Sequence, residues 1–121
     1  MSDLPPEIKE LAASDEAVVV VNNEGVIVAM SKAAEDLAGV SSDDIVGEFV
    51  EMLVPEKKRW GHQAYRRGFL AEPNDREMDP GLDPELERPM DGTIVPIAGR
   101  LQPVRVDGKL YVAAHLTERA T

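Results

Sequence analysis

The chain has 121 residues, 43% hydrophobic and 30% charged, with 23 acids against 13 bases and a formal net charge of −10. That length suits one domain around one core, and the composition suits a globular chain rather than a disordered one. The acidic surface excludes nucleic-acid and anionic-membrane binding, and the absence of cysteine excludes disulfides, thiolate metal sites, a cysteine nucleophile and cysteinyl cofactor adducts.

The opening MSDLPPEIKELAASDE has neither a basic start nor an apolar run, so no signal peptide is expected. The longest apolar stretch, 17–21, is far too short to span a bilayer, and a cytoplasmic location follows as the expectation. Residues 5–13 read as a short helix. Pro5 and Pro6 suit its start, and Ile8, Leu11 and Ala12 follow at helical spacing. Its narrow apolar stripe needs a partner, either the domain body or another subunit.

Residues 17–21 and 26–30 are β-branched runs around Asn22-Asn23-Glu24-Gly25, which predicts a hairpin. The valines of the first run do not alternate with polar residues, so that strand is expected to be covered on both faces. Ser31 caps a helix over 32–38 that ends at Gly39. Ser41 and Asp44 resemble a capping box for a one-turn helix that stops at Gly47. Phe49, Met52 and Leu53 predict a further turn, closed by Pro55.

Residues 56–71 form the longest periodic segment. Trp60, Ala64 and Gly68 share one stripe, extended by Tyr65, Phe69 and Leu70, and five bases lie alongside: Lys57, Lys58, Arg59, Arg66 and Arg67. The expected helix has one apolar and one basic face. Residues 72–89 are acidic and proline-rich, which predicts a loop with at most a short edge strand near Leu86. Strands then follow at 93–95, 98–106 and 110–116, with Asp107-Gly108 as a hairpin turn. The last strand puts Tyr111, Ala113 and His115 on one face and Leu110, Val112, Ala114 and Leu116 on the other. Strands at both ends with helices between them imply an α+β fold, one antiparallel sheet with helices packed on one face.

Over residues 14–119 this order resembles a PAS sensor domain of bacterial and archaeal signal-transduction proteins. The phrases that carry the resemblance are AVVVVNNEGVIVAMSKAAEDLAGVSSDDIVGE, LVPEKKRWGHQAYRRGFL and DGTIVPIAGRLQPVRVDGKLYVAAHLTER. Gly25, Gly39, Gly47, Pro55, His62, Asp91, Gly92, Pro96 and Thr117-Glu118-Arg119 stand at matching places. The chain departs from the pattern at Ser31, usually asparagine, and at His115, usually the aspartate of the exit motif. The resemblance implies a five-stranded antiparallel sheet with short helices and one longer helix on one face. It divides the chain into an N-terminal helix or cap at 1–14 and a PAS domain at 15–119.

The implied function is ligand sensing or protein–protein interaction in signal transduction, with no catalytic activity of its own. The implied partners are a second copy, through the N-terminal helix and sheet face, and a downstream kinase or regulator. Deleting residues 1–14 is therefore expected to lower dimer content. Flavin photochemistry through a cysteinyl adduct is excluded, since there is no cysteine.

The alternative is a gas or redox sensor holding haem b. By resemblance to haem-PAS oxygen sensors, His62 matches the axial iron ligand and Tyr65 the aromatic three places on, while Arg66 and Arg67 would pair with propionates. Against it, Asp83 stands where those sensors hold an oxygen-binding arginine, and Gly99 where they hold a bulky distal residue. A small organic ligand is the middle case, in a core rich in alanine. Asp75, Asp79 and Asp83 recur at four-residue spacing but do not match a calcium loop.

Overall fold

A computed structural model describes residues 4–119, so residues 1–3 of the expected cap lie outside the described part. Four helices and six strands follow one another: α1 (Pro6–Ala12), β1 (Ala17–Asn22), β2 (Ile27–Met30), α2 (Lys32–Ala38), α3 (Ser42–Ile45), α4 (Arg59–Ala71), β3 (Arg76–Glu77), β4 (Glu85–Glu87), β5 (Ile94–Val106) and β6 (Lys109–Glu118). Short 3-10 turns lie at Val50–Leu53, Glu56–Lys58 and Pro80–Leu82. The antiparallel sheet runs β2-β1-β6-β5-β3, and β4 also pairs with β5. The fold is the expected α+β arrangement.

The turns form for local reasons. Asn22 Oδ1 accepts from the amides of Glu24 and Val26, and Gly25 takes a φ of +82°. Asp107 and Gly108 both have positive φ, as a two-residue hairpin turn requires. Ser31 does more than cap α2. Its Oγ accepts from the amides of Ala34 and Val18 and donates to the carbonyl of Glu16, which ties α2 to the start of β1. The cap of α3 differs from a capping box. Ser41 Oγ accepts from Asp43, and Glu35 of α2, rather than Asp44, accepts from both the amide and the hydroxyl of Ser42.

β1 is covered on both faces, as its unbroken valines imply. Val19 and Val21 join the main core with Ile27, Leu53, Phe69, Leu86, Val112 and Leu116. Val18 and Val20 face the other way, into a smaller cluster with Ile8, Ala29 and Ala113. Helix α1 is thus the cover of the outer sheet face, and Ile8 is fully buried within one chain.

Several expectations change. The 72–89 segment holds two short strands, β3 and β4, both paired with β5, where at most one edge strand near Leu86 is expected. The 93–95 and 98–106 runs are one continuous strand, β5. The long helix also starts later than residue 56 and is rotated. Phe69 is its buried anchor, and Trp60 lies nine residues back, about two and a half turns, hence on the opposite side. Trp60, Ala64 and Gly68 face solvent, and the inward row contains His62, Tyr65, Arg66, Phe69 and Leu70. Phe49 and Met52 are likewise exposed, and of the apolar residues of that turn only Leu53 is buried.

Because Gly68 is helical and a Cβ there would meet no atom within 4 Å, Gly68→Ala is expected to stabilise the domain by about 1 kcal/mol. A denaturant midpoint no higher than that of the parent chain would contradict this.

Candidate functional site

A cavity of about 120 Å³ lies between α4 and the inner sheet face. Val19 and Val21 of β1, Ile97 and Leu101 of β5, and Val112, Ala114 and Leu116 of β6 form its floor. The inward row of α4 forms the opposite wall, from His62 to Leu70. Nearly all of this lining is apolar.

Two polar side chains at the cavity, His62 and Arg66, are tied to one buried carboxylate. Glu51 is only 4% exposed. Its Oε2 accepts from Arg66 Nε at 3.0 Å and its Oε1 from Arg66 Nη2 at 3.1 Å, a two-pronged pair. His62 Nδ1 lies 2.7 Å from Glu51 Oε2. Because a carboxylate only accepts, Nδ1 carries the proton, and a neutral His62 ring then keeps Nε2 as an acceptor. Burial alone would push the Glu51 carboxyl up, but the hydrogen bonds from Arg66 and His62 outweigh it and hold the group below the usual carboxylate range.

Arg66 also donates from Nη1 to the carbonyl of Glu24 in the β1–β2 turn. A Cβ at Gly25 would overlap that guanidinium, so Gly25 is required both by its positive φ and by the approach of Arg66. Arg76 of β3 lies over the rings of Tyr65 and Phe69, 5.1 and 5.0 Å from their centroids, and pins α4 against the sheet edge.

The residues singled out in the sequence divide. His62, Tyr65 and Arg66 meet at the cavity. Arg67 does not; it lines a separate surface cleft with Phe49, Gln63 and Leu70. Asp83 is also remote from the chemistry. It takes a left-handed φ of 51° and pairs with Arg119 Nη2 at 2.6 Å. Arg119 donates as well from Nε to the carbonyl of Ile97. The chain exit is therefore held by Arg119, while His115 turns to the outer face and pairs through Nε2 with Gln102.

The bases at the start of α4 dock on the acidic segment within the same chain. Lys58 pairs with Glu85 at 2.8 Å and Arg59 with Glu87 at 3.2 Å. Among the described residues, no group of three or more His, Cys, Asp or Glu side chains is placed to hold a metal ion, so Asp75, Asp79 and Asp83 form no such cluster. No described helix is long and apolar enough to cross a membrane.

Haem suits this site in one respect only. A histidine whose Nδ1 is held by a carboxylate is oriented as a metal ligand needs. The room is lacking: about 120 Å³ is below even the ~300–1,000 Å³ of common ligand pockets, and a porphyrin needs more than a small ligand does. Arg66 is already committed to Glu51, and Arg67 is outside the cavity.

Glu51 was not legible as a site residue. It sits between apolar residues in a short turn, and its partners lie 11 and 15 positions on. No local pattern marks such a pairing.

Among curated protein sequences no match is found. Solved structures do match. The PAS domain of an HTR-like protein from Haloarcula marismortui superposes with a TM-score of 0.72 at 14% identity, covering 93% of this chain and 95% of that one. A PAS domain from Colwellia psychrerythraea gives 0.75 at 17% identity, covering 93% of each chain. The PAS domain of nitrogen regulation protein NR(II) from Vibrio parahaemolyticus gives 0.68 at 16% identity, covering 96% of this chain and 100% of that one. At these identities the likeness is one of fold. The family model described as PAS fold matches residues 11–121, nearly the whole sequence, and with that the chain belongs to the PAS fold family, whose members are typically non-catalytic sensory or signalling modules.

Proposed function

We propose that this PAS domain is a sensor without catalytic activity of its own, and that its signal is a small apolar molecule held between α4 and the sheet. The observation that carries this reading is the cavity itself. An enclosed apolar void near 150 Å³ accepts benzene or xenon, and this half-open, largely apolar pocket is of that size. Occupancy would press on α4, which is tied to the acidic segment by Lys58 and Arg59 and, through Asp83, to Arg119 at the chain exit. That route supports transmission to a downstream kinase or regulator. Helix α1, with Leu4 before it, would act as a cap that completes the outer sheet face.

Benzene at millimolar concentration is the probe. It is expected to shift the methyl resonances of Leu101, Val112 and Leu116 and to leave those of Val18 and Val20, on the other side of the sheet, in place. Ala114→Leu fills the cavity and should abolish the shifts. Absence of shifts in the parent chain, or equal shifts on both sides of the sheet, would overturn the reading. The domain is also expected to show no Soret band after expression with ample haem.

A further inference from the structure

Two polar groups in the lining of the cavity have no hydrogen-bond partner among the described residues. The first is on His62. Its ring lines the cavity, its side chain is 34% exposed, and its Nδ1 is held by Glu51, so Nε2 is the nitrogen left over. In the neutral ring that nitrogen is an acceptor. The second is the hydroxyl of Tyr65, which also lines the cavity, three residues on along the same side of α4. Arg66 differs from both, because it is committed to Glu51 and to the carbonyl of Glu24.

We infer that the molecule this cavity selects is neutral and carries one hydroxyl on a small apolar body, as a phenol does, and that the hydroxyl donates to His62 Nε2. The inference rests on the reading of the cavity as the sensing site.

Charge narrows the guest first. A carboxylate or an ammonium group in this largely apolar space would need a free counter-charge. The base and the acid beside the cavity, Arg66 and Glu51, already neutralise each other. Hydrogen bonding narrows it further. A carbonyl or ether oxygen would set its lone pairs against the lone pair of Nε2, and a hydrocarbon would leave Nε2 without a partner. A hydroxyl both donates and accepts, so one group can serve Nε2 and take a hydrogen bond from Tyr65. Glu51 acts here as a positioning residue: by keeping the proton on Nδ1 it leaves Nε2 as an acceptor. The volume of about 120 Å³ limits the apolar body to about one ring.

The test compares phenol with toluene, two guests matched in size that differ by a hydroxyl for a methyl. Each is titrated at millimolar concentration into the full chain at about pH 8, above the ordinary range of histidine, with the imidazole nitrogens followed by NMR. Phenol is expected to bind at least as tightly as toluene, although its hydroxyl must leave water. It should move the Nε2 resonance of His62, while toluene leaves that resonance in place and neither guest moves those of His115. In His62→Phe the affinity for phenol should fall at least about tenfold more than the affinity for toluene, since the hydroxyl is then buried unpaired. Binding of neither guest would overturn the cavity reading and this inference together. Toluene bound more than about tenfold tighter than phenol would overturn this inference alone and leave the apolar pocket standing. So would phenol that binds without moving Nε2, a result that needs no variant, or a folded His62→Phe chain with the parental ratio of the two affinities.

Discussion

Replacing Glu51 with alanine should cost the domain about 3 kcal/mol and lower its melting temperature by about 10 °C. The loss comes from the group left behind. Arg66 has a side chain only 13% exposed, and without the carboxylate its guanidinium is buried and unpaired. His62 loses the acceptor that fixes its ring. A melting temperature within about 2 °C of the parent chain would show that the pair contributes little, as solvated surface pairs do.

The same residue shapes the acid limb of the stability curve. An unfolded glutamate titrates near 4.3, and Glu51 in the folded chain titrates lower. Its contribution is therefore complete above the unfolded value and is lost as the pH falls through the folded one. Glu51→Ala should flatten that part of the limb. What remains would come from Glu35, Asp83 and Asp91, held low by the Ser42 amide, the Arg119 guanidinium and the Thr93 amide respectively. Denaturant unfolding at a series of pH values below 5 reads this directly; parallel limbs in the two proteins would refute it.

Gly99→Val should destabilise the fold by at least ~3 kcal/mol. Gly99 pairs with Leu116 in the central β5–β6 ladder, and an added Cβ would overlap the main-chain carbonyl oxygen of His115. A side chain in the way can change rotamer, but a ladder carbonyl cannot move without parting the strands. The two glycines of α4 make the contrast, since they stand in open space and gain from alanine. Thermal unfolding of Gly99→Val beside Gly68→Ala compares the two cases, and similar melting temperatures would contradict the contact argument. The same geometry explains why no bulky residue stands at position 99: the close approach of the strands leaves it no room.

Whatever depends on neighbours within a few residues could be read from the sequence. The Asn22–Gly25 and Asp107-Gly108 turns, the Ser31 cap and the double burial of β1 follow from side-chain hydrogen bonding, positive φ and unbroken β-branching, all of them local. The ordered set of such words carried the family as well. Periodicity on α4 was ambiguous, because apolar residues lie on both of its sides. Only packing against the sheet decides that Phe69 turns inward and Trp60 outward.

The rest required the tertiary structure, because the partners are distant in sequence. Glu51 meets His62 and Arg66 only when the Val50–Leu53 turn is laid along α4. Asp83 meets Arg119 across 36 positions. Cavity size is a difference between large packed volumes, so it too has no signature in residue types. The sequence by itself determined the PAS scaffold through local hydrogen bonding and patterning. The tertiary structure alone decided which charges are buried together, how much room lies between α4 and the sheet, and which face of α4 is left to solvent.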